Sequence, residues 1–410
     1  MPETLVIVGA SLAGGTAAAT LREEGFDGRV VLIGEEPRPP YERPPLSKEY
    51  LRGEQPFEKA LVRPPDFYQT NGIETRFGVR ATRVDPAART VELAGGERLR
   101  YDKVLLATGA RNRRFPIPGL DLEGVHDLRT VADADRIRSE IRPGRRAVVV
   151  GMGFIGAEVA ASLRQSRVEV TAVEFARTPL FRVLGEGVGR AIEGLHRDHG
   201  VHMFFEDSVA AFEGAGRVEQ VRTKGGRRIE CDFAVVGVGV EPVTDPVAGT
   251  AVQIENGIVV DEYCRTSVEG IYAAGDVANH DHPVFGRRVR VEHWQNALKQ
   301  GPAAARSMLG KGKPYDEVHW FWSDQYDANL QYAGFHTEWD ELVFRGSLED
   351  RKFVAFYLKD KRVLAAVAMN RGKDLRRSMP LIKSQAQVDS ARLRDADVDL
   401  SQVVGAASQR

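Results

Sequence analysis

Hydrophobic and polar positions alternate in a way that repeats along the chain. An uncharged stretch from Leu5 to Leu21, broken by Gly9, Gly14 and Gly15, predicts a strand over 5–8, a glycine turn and a helix over 14–24. A second apolar run then predicts a strand over 29–33. Strand, turn, helix and strand make a βαβ unit, which demands a parallel sheet. The pattern returns with Gly151, 142 residues after Gly9: a strand over 147–150, a turn over 151–156, a helix to about Gln165 and a strand over 169–173. Between the two units, Pro37, Pro39, Pro40, Pro44 and Pro45 exclude a helix interior. The segment "RTVELAGGERLRYDKVLLATG" reads as a hairpin leading into a buried strand. Beyond about residue 319 the pattern becomes aromatic-rich strands such as "LVFRGS" and "FVAFYL", followed by a polar, Asp/Arg-rich helical tail.

Composition narrows the possibilities. The chain has 410 residues, 42% hydrophobic and 28% charged, enough for two or three domains with substantial cores. A formal net charge of −1 gives no global attraction to nucleic acid or to a membrane surface. The two cysteines, Cys231 and Cys264, lie 33 residues apart, which excludes a disulfide scaffold, a C-x-x-C motif and a cysteine-ligated metal or iron–sulfur site. The start Met-Pro-Glu lacks the basic opening of a secretory signal, and the uncharged run is too short and glycine-broken for a membrane span. A cytoplasmic protein is expected.

The two turns carry the first chemistry. Gly9-Ala-Ser11-Leu-Ala13-Gly14 has the spacing of a G-x-G-x-x-G turn with serine at the second glycine. Such a turn aims backbone N–H groups and a helix N-terminus at a pyrophosphate. The acid expected about 20 residues on, to hold ribose hydroxyls, is Glu35, 26 residues after Gly9. A rival reading is a hydrolase nucleophile elbow at Gly9-x-Ser11-x-Ala13, but that motif ends in glycine and follows several earlier strands. The second turn, Gly151-Met-Gly153-Phe-Ile-Gly156, is unbroken, and Glu174 follows Gly151 by 23 residues. A carboxylate there accepts from ribose hydroxyls and repels a 2′-phosphate, favouring NADH. Arg177 and Arg182 keep a phosphate-binding alternative open. Two dinucleotide sites ask for two dinucleotides, and FAD with NAD(H) is the economical pair. The fold class expected is α/β, with two Rossmann-like domains and a C-terminal α+β domain. The expected boundaries are 1–111 with 243–318 for FAD, 112–242 for NAD(H) and 319–410 for the last domain.

The words "YERPPLSK", "LLATGA", "GMGFIGAE", "IYAAGDVA", "VEHWQNALKQG" and "FWSDQYD", in this order, resemble the FAD-dependent, NADH-linked ferredoxin reductases that serve haem monooxygenases and ring-hydroxylating dioxygenases. The resemblance runs from about residue 4 to about residue 335 and implies a glutathione-reductase-like fold, shared with apoptosis-inducing factor. It implies that Gly9, Ser11, Ala13 and Gly14 cradle the FAD pyrophosphate and that Glu35 holds its ribose. Arg43, Pro45 and Lys48 fall at FAD-contacting positions, as do Ala81, Ala107, Gly109 and Arg129. Asp276 matches the ribityl–phosphate contact, while Glu292, His293 and Trp294 approach the flavin's pyrimidine end. On the NAD side the matching positions are Gly151, Gly153, Gly156, Glu158, Glu174, Arg182 and Gly239. Lys48 is implied to sit near flavin N5, paired with Glu158, and these two are the catalytic candidates. Read by itself, Lys48 is a solvated surface lysine and Glu158 a helix-surface acid.

With no cysteine in "RPPLSKEYLRG", a thiol relay beside the flavin is not expected, and Cys231 and Cys264 read as core residues. His196, His199 and His202, and the alternating His280 and His282, read as surface or capping residues, so no metal is expected. Trp320 and Trp322 are implied to close over the flavin's far side, against a plain strand-core reading. Arg287, Arg288 and Arg290, and Arg371, Lys373, Arg376 and Arg377, form basic clusters that suit an acidic ferredoxin, although such runs are usually solvated faces. The expected function is electron transfer from NADH through FAD to a two-iron, two-sulfur ferredoxin, with an oxygenase downstream. A rubredoxin- or quinone-type reductase and an NADH-responsive flavoprotein sensor remain as alternatives.

Overall fold

The structure is a computed structural model in which residues 2–404 are described. The chain divides into two compact units. One comprises Met1–Glu42, Glu58–Arg111 and Glu241–Trp320; the other comprises Arg43–Phe57, Asn112–Val240 and Phe321–Arg410.

The first unit is built on a parallel sheet in the order Ile271–Ala273, Lys103–Leu106, Thr4–Val8, Arg29–Gly34, Ile73–Phe77. Thr4–Val8 is central because Leu5, Val6, Ile7 and Val8 are apolar on both faces, as a strand covered on both sides requires. The chain leaves this strand toward one neighbour and returns on the other side, so its carboxyl end opens a crevice at a reversal of strand order. The helix Leu12–Glu23 starts there and packs on the sheet through Ala13, Ala17, Ala18 and Leu21. The hairpin expected after residue 89 is present as Thr90–Leu93 and Arg98–Arg100, leading into Lys103–Leu106.

The second unit repeats the design with the order His202–Phe204, Glu169–Val173, Arg146–Val150, Phe233–Val236, Val125–Asp127, all parallel. Its glycine turn follows the central Arg146–Val150 and opens the helix Phe154–Gln165. The same unit contains an antiparallel sheet in the order Trp320–Gln325, Ala328–Gly334, Arg362–Met369, Lys352–Lys359, Glu341–Ser347. Its buried face meets Leu184, Val188, Ile192 and Leu195 of the helix Phe181–Asp198.

The tail is less polar and less helical than its composition suggests. Two helices, Gly372–Ser384 and Ser390–Arg394, are followed by a 3-10 turn, and Val388, Leu393, Leu400 and Val403 are buried. The cause is Arg345, itself buried, whose guanidinium donates to the carbonyls of Leu393, Asp395, Ala396 and Val398. One cation thereby satisfies four carbonyls of a segment too irregular to satisfy its own.

In the second unit His196 is buried and His336 half-buried, and loss of solvent pushes each imidazole from an ordinary 6.5 down to about 4. Both are therefore neutral when folded, whereas the unfolded chain takes up protons below about 6.5. The melting temperature of this unit is expected to fall as pH drops from about 6.5 to about 4, and the double variant His196→Gln/His336→Gln should show a shallower fall. Parallel pH profiles for the two proteins would refute this account.

Candidate active site

Each glycine turn is shaped by backbone packing before any ligand is considered. Gly9 has φ 115°, and a Cβ there would lie 2.1 Å from the Ala107 carbonyl oxygen. At Gly14 a Cβ would stand 1.8 Å from the Gly9 carbonyl oxygen. The second turn does the same: Gly151 has φ 91°, and a Cβ on Gly156 would meet the Gly151 oxygen at 1.9 Å. The middle position is different. A Cβ at Gly153 would meet nothing within 4 Å, so protein packing does not explain a glycine there. Close approach of a ligand backbone to the turn does explain it. Ser11, at the equivalent place in the first turn, adds only a hydroxymethyl group.

The helix starts are open as well. Neither Leu12–Glu23 nor Phe154–Gln165 has a side-chain cap or an acid in its first turn. By contrast, Val131–Glu140 carries a full capping box between Thr130 and Asp133, and Asp389 caps Ser390–Arg394. Caps are also lacking at Phe181–Asp198, Trp294–Met308 and Gly372–Ser384, so what sets the two turns apart is an uncapped helix start directly behind a tight glycine turn at the end of a central strand. The first-turn N–H groups and the positive end of each helix dipole are left to an anion. Both turns fit the diphosphate of a dinucleotide on these grounds.

Around the first turn, the Ala107 N–H donates to Val8 O at 2.7 Å, and Gly109 takes a positive φ of 68°. The "AAGD" segment is brought beside the turn by close contact: a Cβ on Gly275 would be 3.0 Å from the Ala13 Cβ. Gln300, wholly buried, accepts the Gly275 N–H at 2.9 Å and holds the segment that ends in Asp276. Ala81 is buried at the start of the strand Ala81–Asp85, and Glu35 is exposed just past the strand Arg29–Gly34. Glu292 is exposed and pairs with Arg290 at 2.7 Å. Burial pushes the His293 imidazole down to about 4, against the pull of Asp276, so it is neutral near pH 7. Burial also lifts the carboxyl of Glu42, which the sequence reading did not single out, and a hydrogen bond from Trp294 offsets part of that rise.

The remaining FAD-side candidates, Arg43, Pro45, Lys48 and Arg129, belong to the second unit. Arg43 donates to the Arg129 carbonyl, and Asp133 accepts the Arg129 N–H at 3.0 Å. Lys48 is not a solvated lysine. It is 5% exposed and its Nζ lies 3.0 Å from Glu158 Oε2. Glu158, 4% exposed, is saturated by two hydroxyls: Ser47 donates to Oε2 at 2.5 Å and Ser323 donates to Oε1 at 2.7 Å. Ser162, one turn further along the same helix, donates to Ser47 O at 2.6 Å. Gln325 Nε2 donates to Ser323 Oγ at 3.1 Å, and His196 Nε2 meets Gln325 Oε1 at 3.0 Å. Ser47, Ser323, Gln325 and His196 thus belong to the site and were not identified from sequence. The signal was present in "FWSDQYD": period-two alternation puts Phe321, Ser323 and Gln325 on the buried face, and a polar residue at an inward strand position needs a partner. Trp320 and Trp322 lie half-buried on the other face.

At the second turn, Glu174 accepts the Met152 N–H at 2.5 Å and the Ala176 N–H at 2.7 Å, which fixes its carboxylate beside the glycines. Gly239 has φ 96° and open space around it. Arg182 is exposed on the helix Phe181–Asp198, and Arg177 is exposed with Glu206 at 3.7 Å. Both cysteines are buried, and burial pushes the Cys231 thiol up to about 12 and the Cys264 thiol higher still. The histidine reading needs correction. His199 and His202 are exposed, but His196, His280 and His282 are buried, because the strands and helix that carry them turn those positions inward.

Breaking one side of a buried ion pair leaves an uncompensated charge and costs about 3–5 kcal/mol. Glu158→Gln, which keeps the side-chain volume, is expected to lower the melting temperature well below that of Ser323→Ala, whose loss of one neutral donor costs about 1 kcal/mol. Differential scanning calorimetry of both variants checks the order. Equal melting temperatures for wild type and Glu158→Gln would show that Lys48 is not held by this carboxylate.

Residues 3–301 match the family described as pyridine nucleotide-disulphide oxidoreductase, and residues 320–404 match the family described as reductase C-terminal. Rhodocoxin reductase of Rhodococcus erythropolis is 39% identical over 398 residues, covering 97% of this chain and 93% of that protein. Putidaredoxin reductase of Pseudomonas putida is 35% identical, covering 99% of this chain and 97% of its own length. The solved covalent complex of putidaredoxin reductase with putidaredoxin superposes with a TM-score of 0.95 at 35% identity, covering 100% of this chain and 99% of that chain. The ferredoxin reductase of the CYP199A2 system from Rhodopseudomonas palustris gives a TM-score of 0.94 at 35% identity, with coverage of 98% and 100%. Together with the two open glycine turns, these likenesses establish that the chain belongs to the FAD-dependent NADH:ferredoxin reductase family.

Proposed function

We propose that residues 1–111 with 243–318 form the FAD-binding domain, residues 112–242 the NAD(H)-binding domain and residues 319–410 the C-terminal domain of a cytoplasmic reductase. The activity is that of a ferredoxin–NAD(+) reductase, a flavoprotein oxidoreductase that passes electrons from NADH to a ferredoxin serving an oxygenase system. The partner we propose is an acidic two-iron, two-sulfur ferredoxin. No helix among the described residues is long and apolar enough to cross a membrane. The observation that carries the reading is the conjunction of two tight glycine turns, each opening an uncapped helix, with a buried lysine and carboxylate.

Bound FAD accepts hydride and releases electrons singly. The protein's part is binding, orientation and charge. The turn at residues 9–14 and the Asp276 segment hold the diphosphate and ribityl portions, while Glu35 accepts from ribose. Lys48 supplies a fixed positive charge where negative charge develops, and in a buried setting that attraction is far stronger than in water. Glu158 prevents the ammonium from being an isolated buried charge, and the two hydroxyls keep Glu158 from drifting. Glu174, immobilised by two turn amides, accepts from the NADH ribose and repels the extra phosphate of NADPH. The thiols, buried and raised in pKa, supply no thiolate relay, so electrons pass to the acceptor without a covalent sulfur carrier.

Of the two basic clusters, the one over 287–290 is partly committed to the fold. Arg288 donates to Val260 O at 3.0 Å, and Arg290 pairs with Glu292 and donates to Asp276 O at 3.1 Å. Arg376 and Arg377 are exposed on the helix Gly372–Ser384 and are the better docking candidates. Arg376→Glu/Arg377→Glu should weaken ferredoxin reduction and its salt dependence while leaving NADH-to-ferricyanide turnover intact. Equal loss of both activities removes the docking role.

The function is tested by adding a panel of purified ferredoxins, rubredoxins and a soluble quinone to the NADH-reduced protein under anaerobic conditions. Fast oxidation by a two-iron ferredoxin supports the proposal. Preference for rubredoxin or quinone changes the acceptor. Slow oxidation by every acceptor, with a long-lived NADH-reduced state, points to a sensor instead.

A further inference from the structure

Three histidines outside the chemistry above converge inside the first unit. His280 and His282 sit on the strand Ala278–His282, which pairs with Arg287–Arg290, and His319 lies in the segment just before Trp320. All three are at most 1% exposed, and one ring nitrogen from each lies within 4.8 Å of the other two. Their imidazole centroids are 5.2 Å (280–282), 5.5 Å (280–319) and 4.9 Å (282–319) apart. Alternation along the strand explains the first pair: positions 280 and 282 point to one face and Asp281 to the other. The sequence gives no hint of the third, 37 residues beyond His282.

A neutral imidazole carries one donor and one acceptor, and burying either without a partner costs about 1–3 kcal/mol. Both ring nitrogens of His319 and both of His280 lack a hydrogen bond of normal geometry among the described residues, although the Val289 backbone runs beside His280. His282 is oriented instead: its Nε2–H donates to Glu317 O at 3.0 Å, and its Nδ1 accepts the Val284 N–H at 3.2 Å. An imidazole whose N–H is tied to a backbone carbonyl presents a lone pair on its other nitrogen, the usual arrangement of a metal-bound histidine.

We propose that His280, His282 and His319 form a binding site for a divalent transition-metal ion, zinc in the first place, that ties the strand Ala278–His282 to the segment preceding Trp320. Three imidazoles without a carboxylate or thiolate suit zinc, which takes nitrogen ligands at about 2.0–2.1 Å in tetrahedral geometry and accepts water as the fourth ligand. That geometry places nitrogens roughly 3.3 Å apart, so the rings close in from their present spacing by side-chain rotation. His282 exchanges its long contact with the Val284 N–H for the metal. The site is fully enclosed, so the ion enters as the chain folds.

The test uses the full chain without a polyhistidine tag, produced in zinc-supplemented medium and passed over a chelating resin. Elemental analysis is expected to find a single retained zinc per chain. His319→Gln and His280→Gln, checked for folding by circular dichroism, should lose that zinc, and His199→Gln/His202→Gln should keep it. Cobalt incorporated by the same route should give the ligand-field absorption of tetrahedral coordination, beyond the flavin bands. This last readout decides the matter even where a histidine variant does not fold. A folded wild-type chain that retains no zinc and shows no such cobalt spectrum overturns the proposal. So does zinc that survives in His319→Gln and departs with the exposed histidines.

Discussion

The structure depends on two helix starts that the protein leaves electrically unfinished. A helix N-terminus exposes N–H groups and roughly half a positive charge, and proteins normally answer with a capping side chain. This chain does so at Thr130 and Asp389 but not at Ser11 or Gly153. Other helices such as Trp294–Met308 are uncapped too, but among the described residues only these two starts follow a tight glycine turn on a central parallel strand. The glycines on either side keep the turns tight, since a Cβ at Gly9, Gly14 or Gly156 would collide with a carbonyl oxygen. Both seats lie at the carboxyl end of a central parallel strand, where neighbouring connections diverge and leave room for a ligand.

The second of these helices serves twice. Its first turn faces the seat we propose for the nucleotide, and Glu158, inside that first turn and a half, anchors Lys48. A buried pair of this kind is a poor source of stability compared with apolar packing. Its retention, with Ser47 and Ser323 satisfying the carboxylate, makes sense as a way of holding a positive charge where water cannot screen it. The antiparallel sheet contributes by carrying Ser323 and Gln325 on the buried face of its first strand, which links the C-terminal domain to the charge pair through named hydrogen bonds.

Local chemistry made much of this legible from sequence. Glycine spacing after an apolar strand fixes both βαβ units to within a residue or two, because the turn, the strand and the helix each leave a short-range signature. Lys48 and Glu158 are 110 residues apart, and their pairing was reached through resemblance, not through any local pattern. Contacts made only by tertiary packing were harder. Ser47 and His196 are unremarkable in sequence, and nothing local says that His280 and His282 face inward toward His319. The tail after Pro380 was opaque because its order comes from Arg345, on a distant strand, supplying the hydrogen bonds its backbone lacks.

The central claim is that the open turn at residues 9–14 holds a flavin and the one at residues 151–156 holds the nucleotide that reduces it. Anaerobic titration of the purified chain with NADH, followed by absorbance, tests this most directly. The account predicts a yellow protein with one flavin per chain whose colour bleaches in proportion to added NADH. A colourless chain that takes up no flavin, or a flavin that NADH leaves unbleached, would contradict it.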